Sequence, residues 1–159
     1  MKRSSVLIVL LGSVALAVVA GLFIMSPANG HPSDPSIANG RWLTESGNLE
    51  IDVSPCGDRL CGLVSRVITN RSMSRSGEDM RPADGKSLLQ MEILSDFVVA
   101  ADGSWKGKIY NRENGKTYDC IMRGLSPDKL EIRAYKFLPI FGKTQIWTRV
   151  AEPAKAPRI

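Results

Sequence analysis

Histidine is almost missing from this sequence: His31 is the one example in 159 residues. Its scarcity excludes the Ser-His-Asp and Cys-His arrangements of nucleophilic hydrolases and any histidine-built metal cluster. Cysteine is scarce as well, with Cys56, Cys61 and Cys120 alone. None precedes Cys56, so a lipid-modified N-terminal cysteine is excluded. Cys56 and Cys61 are too far apart for the C-x-x-C of a redox dithiol or half a zinc site. No strand-like segment runs into a Gly-x-Gly-x-x-Gly turn, which removes the usual cradle for nucleotide phosphates. Paired carboxylates are the remaining catalytic route. Glu50 and Asp52, however, share the outward side of one strand, and Glu113 falls in a turn, which is where solvated charge sits. The chain therefore reads as non-enzymatic, with no metal and no cofactor.

What is present begins with Met1-Lys2-Arg3-Ser4-Ser5, followed by an apolar run over residues 6–25 broken by Gly12, Ser13 and Gly21, then Ser26-Pro27-Ala28. A basic start, an apolar stretch and small residues at the cleavage position are the order of a secretory signal, so residues 1–28 are expected to be removed after Ala28. The run also reaches the roughly 20 residues that a helix needs to cross a bilayer, and a retained anchor is the alternative. Export to the periplasm or medium is the expectation, or an inner-membrane anchor with the domain facing the periplasm. Membrane contact is then confined to an uncleaved N-terminal segment. Losing Lys2 and Arg3 lowers the formal charge from +5 to +3. Basic and acidic residues alternate, as in Glu131-Ile132-Arg133, which argues against nucleic acid as a partner. In an oxidising compartment Cys56 and Cys61, which flank the tight turn Gly57-Asp58-Arg59-Leu60, are the expected disulfide, adding about 2 kcal/mol of local stiffness. Cys120 is left as a small buried apolar residue.

Residues 29–38, with Gly30, Pro32 and Pro35, read as a linker, and residues 151–159, with Pro153 and Pro157, as a flexible tail. The domain is residues 39–150. Turn signals recur through it: Glu45-Ser46-Gly47-Asn48, Pro55-Cys56-Gly57-Asp58, Ala101-Asp102-Gly103, Arg112-Glu113-Asn114-Gly115, Ser126-Pro127-Asp128 and Phe141-Gly142. Between them apolar and polar residues alternate. Leu49, Ile51 and Val53 oppose Glu50 and Asp52, and Leu130, Ile132 and Ala134 oppose Glu131 and Arg133. Trp105, Gly107 and Ile109 oppose Lys106 and Lys108. About eight strands joined by hairpins, each with one wet face, point to an all-β, antiparallel up-and-down barrel, since closure removes the exposed edges.

Gly40-Arg41-Trp42 at the first strand and Arg149 at the last resemble the lipocalin arrangement, in which a guanidinium stacks over a first-strand indole and seals one end of the barrel. A second resemblance covers nearly the whole domain. Its blocks are Trp42-Leu43-Thr44, Pro55-Cys56-Gly57-Asp58-Arg59-Leu60-Cys61-Gly62, Ile93-Leu94-Ser95-Asp96-Phe97, Trp105-Lys106-Gly107-Lys108-Ile109-Tyr110, Gly115-Lys116-Thr117-Tyr118 and Thr144-Gln145-Ile146-Trp147-Thr148-Arg149. In that order they resemble the secreted bacterial family known as domain of unknown function 2147 (DUF2147). The resemblance implies export and a lipocalin-like barrel, and carries no chemistry with it. The sequence departs from the family pattern at Cys120, where a small residue is expected, at Gln90, where glycine is expected, and in an arginine-rich loop.

Alternation places Trp105, Tyr118, Met122, Ile132 and Trp147 on one common side. They are either a filled core or the walls of a ligand cavity, with Gln145 or Tyr118 as the polar group that orients a small, largely apolar ligand. Cys120 and Gly107 on the same side would leave room. The segment 69–87 is long, polar and without periodicity, and carries Arg71, Arg75 and Arg81 with Met73 and Met80. It reads as a solvated loop or as a mobile flap over the open end, its arginines meeting an anionic head group. Residues 137–141, Phe-Leu-Pro-Ile-Phe, form an apolar turn that either covers the core or contacts a membrane or partner. Small-ligand binding inside the barrel is the leading expectation. An envelope interaction module acting through that turn comes second, and an enzyme of unrecognised type third.

Overall fold

Alternating side chains and closely spaced turns fold the chain into eight strands. They are β1 (Gly40–Leu43), β2 (Leu49–Cys56), β3 (Arg59–Val67), β4 (Glu92–Val99), β5 (Trp105–Asn111), β6 (Lys116–Ser126), β7 (Lys129–Tyr135) and β8 (Lys143–Arg149). The computed structural model describes residues 35–151. The signal or anchor expected at residues 1–28, most of the linker and most of the tail lie outside the described residues. Each strand pairs antiparallel with the next, and β8 returns to β1, closing the barrel. The closing seam is short, pairing Trp42 with Arg149 and Leu43 with Thr148. One backbone bond extends it, Val150 N–H to the Arg41 carbonyl at 2.8 Å.

Up-and-down order sorts the connections to two ends. The turn after β2, the turn after β4 and the turn after β6 share one end with the start of β1. The β1–β2 turn, the long segment between β3 and β4, the β5–β6 turn and the β7–β8 loop share the other. The first end is closed. The Arg149 guanidinium lies 4.1 Å from the centre of the Trp42 ring. It donates to the Asn39 carbonyl at 2.7 Å, the Ile37 carbonyl at 2.6 Å and the Pro127 carbonyl. Trp42 is fully buried, and its Nε1–H donates to the Ala38 carbonyl at 2.8 Å. Residues 37 and 38, expected to be linker, are thus structural. A short helical turn, α1 (Pro35–Ala38), caps this end because the indole N–H and the guanidinium both need carbonyl partners there.

Two outward-inward assignments change. Glu50 is buried, because Arg66 at 3.4 Å and Arg41 at 3.9 Å lie over it from the adjoining strands. Their aliphatic stems exclude water from a carboxylate that alternation alone leaves solvated. Gly107 leaves no room in the interior, since a Cβ there would sit 2.6 Å from the Phe97 ring and 2.7 Å from the Ser95 carbonyl oxygen. Phe97 fills that space because β4 shifts register between Ser95 and Val98, with Asp96 at φ 60°, so that Leu94 and Phe97 both turn inward. Gln90, at the position where glycine was expected, sits at φ 66°, a left-handed conformation in which glycine is unstrained.

The expected disulfide joins Cys56 to Cys61 across the β2–β3 hairpin, with Cα atoms 5.8 Å apart. Since Arg149 anchors β8, β1 and α1 at once, Arg149→Ala is expected to lower stability by about 2 kcal/mol through lost packing and three vacated carbonyls. Arg149→Lys should recover only part, because an ammonium cannot both cover the ring and reach three acceptors. Urea unfolding of the two variants beside the parent checks this.

Candidate functional site

Inside the barrel the filling changes along the axis. Towards the closed end Phe97, Trp105, Cys120, Met122 and Leu130 are fully buried and in one packed cluster. Towards the other end the inward side chains stop short of one another and leave a cavity of about 450 Å³. Leu49, Ile93, Ile109, Ile132, Ala134 and Trp147 supply its apolar walls. The size and lining are those of a small-molecule pocket.

Of the residues expected to hold a ligand, Tyr118, Ile132, Gln145 and Trp147 line this cavity. Trp105 and Met122 do not. They face each other in register across β5 and β6 and belong to the packed layer below. The choice between filled core and ligand cavity is thus divided by depth. Two polar side chains in the wall are already engaged: Gln145 Oε1 accepts from Trp147 Nε1 at 2.8 Å, and the Tyr118 hydroxyl accepts from Asn114 Nδ2 at 2.8 Å.

The segment 69–87 lies at the cavity end, opposite the Trp42–Arg149 plug, as expected for a cover. It is fastened rather than free. Asn48 Nδ2 donates to the Arg71 carbonyl at 2.9 Å, and Tyr110 donates to Asp84 Oδ2 at 2.8 Å. Glu113 accepts from Ser72 and, at 2.7 Å, from Ser74. These serine hydroxyls hold the Glu113 carboxyl below its usual range, and the Tyr110 hydroxyl does the same for Asp84 while its own pKa is raised. The arginines of the segment do not meet the cavity. Arg71, Arg75 and Arg81 are exposed, Arg75 pairs with Glu78 at 3.1 Å, and the loop residues that line the cavity are Met73, Ser74 and Met80. Their guanidinium groups gain more from water than from an apolar mouth.

A different arginine is at the wall. Arg112, which the sequence places in a turn, lines the cavity and is 7% exposed. Its Nη2 donates to Asn70 Oδ1 at 2.7 Å, and its Nε and Nη1 have no partner among the described residues. Burial lowers its pKa. Among the described residues no three of His, Cys, Asp and Glu converge as a metal site would require.

A closed antiparallel barrel of eight strands, plugged at one end by an arginine on a first-strand tryptophan and hollow at the other, is of the lipocalin type. A solved structure agrees on the fold: protein HP1028 from the human pathogen Helicobacter pylori, described as belonging to the lipocalin family. It superposes with a TM-score of 0.53 at 20% identity, over 72% of this chain and 84% of that one. The family model for uncharacterised proteins conserved in bacteria, DUF2147, matches residues 40–149, and the chain belongs to that family. Among curated proteins, none matches the sequence.

Cys120 lies in the packed layer beneath the cavity, and burial pushes its thiol up to about 12 from an ordinary 9.0. The neutral thiol is favoured in the fold, so this contribution to stability is full below the thiol's ordinary pKa and is lost as pH rises from there towards the folded value. At pH 8 a thiol reagent should label nothing in the native protein and one cysteine after unfolding without reductant. Unfolding free energy should decline above about pH 9 more steeply for the parent than for Cys120→Ala.

Proposed function

We propose that the protein is a non-catalytic binder that carries a small, largely apolar ligand in the open half of its barrel, outside the cytoplasm. The observation that carries this reading is the 450 Å³ cavity with apolar walls, open at one end and backed by packed side chains at the other. A pocket of this kind draws an apolar chain out of water at roughly 25 cal/mol for each Å² it covers. The Cys56–Cys61 disulfide supports an oxidising compartment. Ala134 lies on the wall between Ile132 and the mouth. Ala134→Phe is expected to fill the cavity and abolish binding of an apolar fluorescent probe while leaving the melting temperature within a few degrees of the parent's. Native mass spectrometry of protein purified from its own envelope should show a bound small molecule. An unliganded mass together with no probe uptake would overturn the reading.

A second reading rests on the β7–β8 loop. Phe137, Ile140 and Phe141 are 80%, 76% and 83% exposed, and Leu138 is exposed beside them. Four apolar side chains at the cavity mouth, with Lys136 over the Phe137 ring at 5.2 Å, suit docking on an apolar surface of the envelope. Ile140→Ser with Phe141→Ser is expected to abolish co-sedimentation of the protein with anionic lipid vesicles. Co-sedimentation unchanged by the pair of substitutions would rule this docking out.

A further inference from the structure

Arg112 carries a positive charge into a largely buried place where no carboxylate comes within ion-pairing distance; Asp84 attracts it only from further away. It is 7% exposed, lines the cavity, and makes no ion pair among the described residues. The carboxylates of the neighbouring rim stay ionised but hydrogen-bond to hydroxyls and not to Arg112: Glu113 to Ser72 and Ser74, Asp84 to Tyr110. Asn70 takes one of the five guanidinium protons through Nη2, while Nε and Nη1, both closed to water, have no partner among the described residues. Burial outweighs the attraction of the distant Asp84 and lowers the pKa of Arg112, so an anion brought into contact with the guanidinium stabilises its charge.

We propose that Arg112 receives the anionic head of the cavity's ligand, an amphipath ending in carboxylate or phosphate oxygens whose apolar chain runs along Ile132 towards Trp147. This rests on the reading of the cavity as a ligand site and names the chemical class that fills it. Charge-assisted hydrogen bonds from a guanidinium to an oxyanion are short and strong, and they strengthen where water is excluded. The apolar walls below Arg112 offer no second polar anchor of comparable strength, so one head group and one chain satisfy the site. The exposed cations of the mouth, Lys136 and Lys143, contribute only screened attraction at longer range.

Calorimetric titration of the purified protein with decanoate, decyl phosphate and decanol tests the assignment. Both anions are expected to bind the parent about 10- to 100-fold more tightly than the alcohol of the same chain, the tighter anion naming the head group. Arg112→Gln should erase that preference and leave decanol affinity unchanged, and Arg112→Lys should retain part of it. Equal affinity of all three for the parent, or a preference that survives Arg112→Gln, would overturn the role of Arg112 and leave the cavity reading standing. Failure of all three to bind would overturn the cavity reading and this proposal with it. Should Arg112→Gln not fold, the parent alone decides through salt. A preference that holds at about 0.5 M salt belongs to a buried cation, and one that vanishes belongs to the exposed lysines and refutes the assignment.

Discussion

The stack of Arg149 on Trp42 is the contact on which the barrel's geometry depends. β1 and β8 share only two register pairs, too few to hold a seam by backbone bonding alone. The guanidinium compensates by tying three elements together: it covers the indole of β1, reaches the carbonyls of Ile37 and Asn39 at the entry to the barrel, and takes the Pro127 carbonyl of the β6–β7 turn. With that end fixed and full, the free volume inside the barrel collects at the other. The two ends are thus complementary: Trp42, Phe97 and Trp105 pack the closed one, and the cavity lies at the other.

The wall chemistry follows from the same division. Below the cavity the side chains are close-packed and dry, and Cys120 is held there as an un-ionised thiol. At the cavity the strands still present apolar residues inward, but their side chains no longer meet. Polar groups enter from the strands and from the connections at the mouth, and several of them bind one another: Asn48 to the loop backbone, Glu113 to serines, Tyr110 to Asp84, Gln145 to Trp147. Arg112 is the exception, with donors left over. Apolar walls together with one under-partnered cation near the mouth are the two features on which the proposed ligand class rests, chain for the one and charge for the other.

Much of this was legible in the residues. Strands, their faces and the barrel followed from period-two alternation and turn chemistry, and the disulfide from two cysteines around a tight turn. The Trp42–Arg149 contact was expected from the resemblance of Gly40-Arg41-Trp42 and Arg149 to the lipocalin arrangement. Where reading failed, a long-range contact overrode a local pattern. Glu50 alternates as a solvated residue and is buried because arginines of two neighbouring strands lie across it. Phe97 occupies the space above Gly107 because of a register shift in β4 that no alternation reveals. Arg112 shares the parity of Lys106 and Lys108, which face water. It is buried only because the segment 69–87, devoid of periodic signal, folds back over it through Asn70 and through the Ala83 N–H to the Arg112 carbonyl at 3.0 Å. The arginines that composition made conspicuous in that segment stay outside for the same reason that Arg112 lies inside: the loop turns its backbone and methionines to the mouth.

The short β1–β8 seam joins the first and the last of the described strands, one made on the ribosome well before the other. Trp42 cannot be covered until Arg149 has been synthesised, and until then β1 has a bare edge and an unshielded indole. Ordering so long a loop is entropically slow, so closure is the late event in folding and the incomplete barrel is the species most exposed to mispairing with other chains. A truncation that removes only β8 would therefore yield an open, edge-bearing sheet rather than a slightly smaller barrel. The seven remaining strands would have the same sequence as before and a different fate.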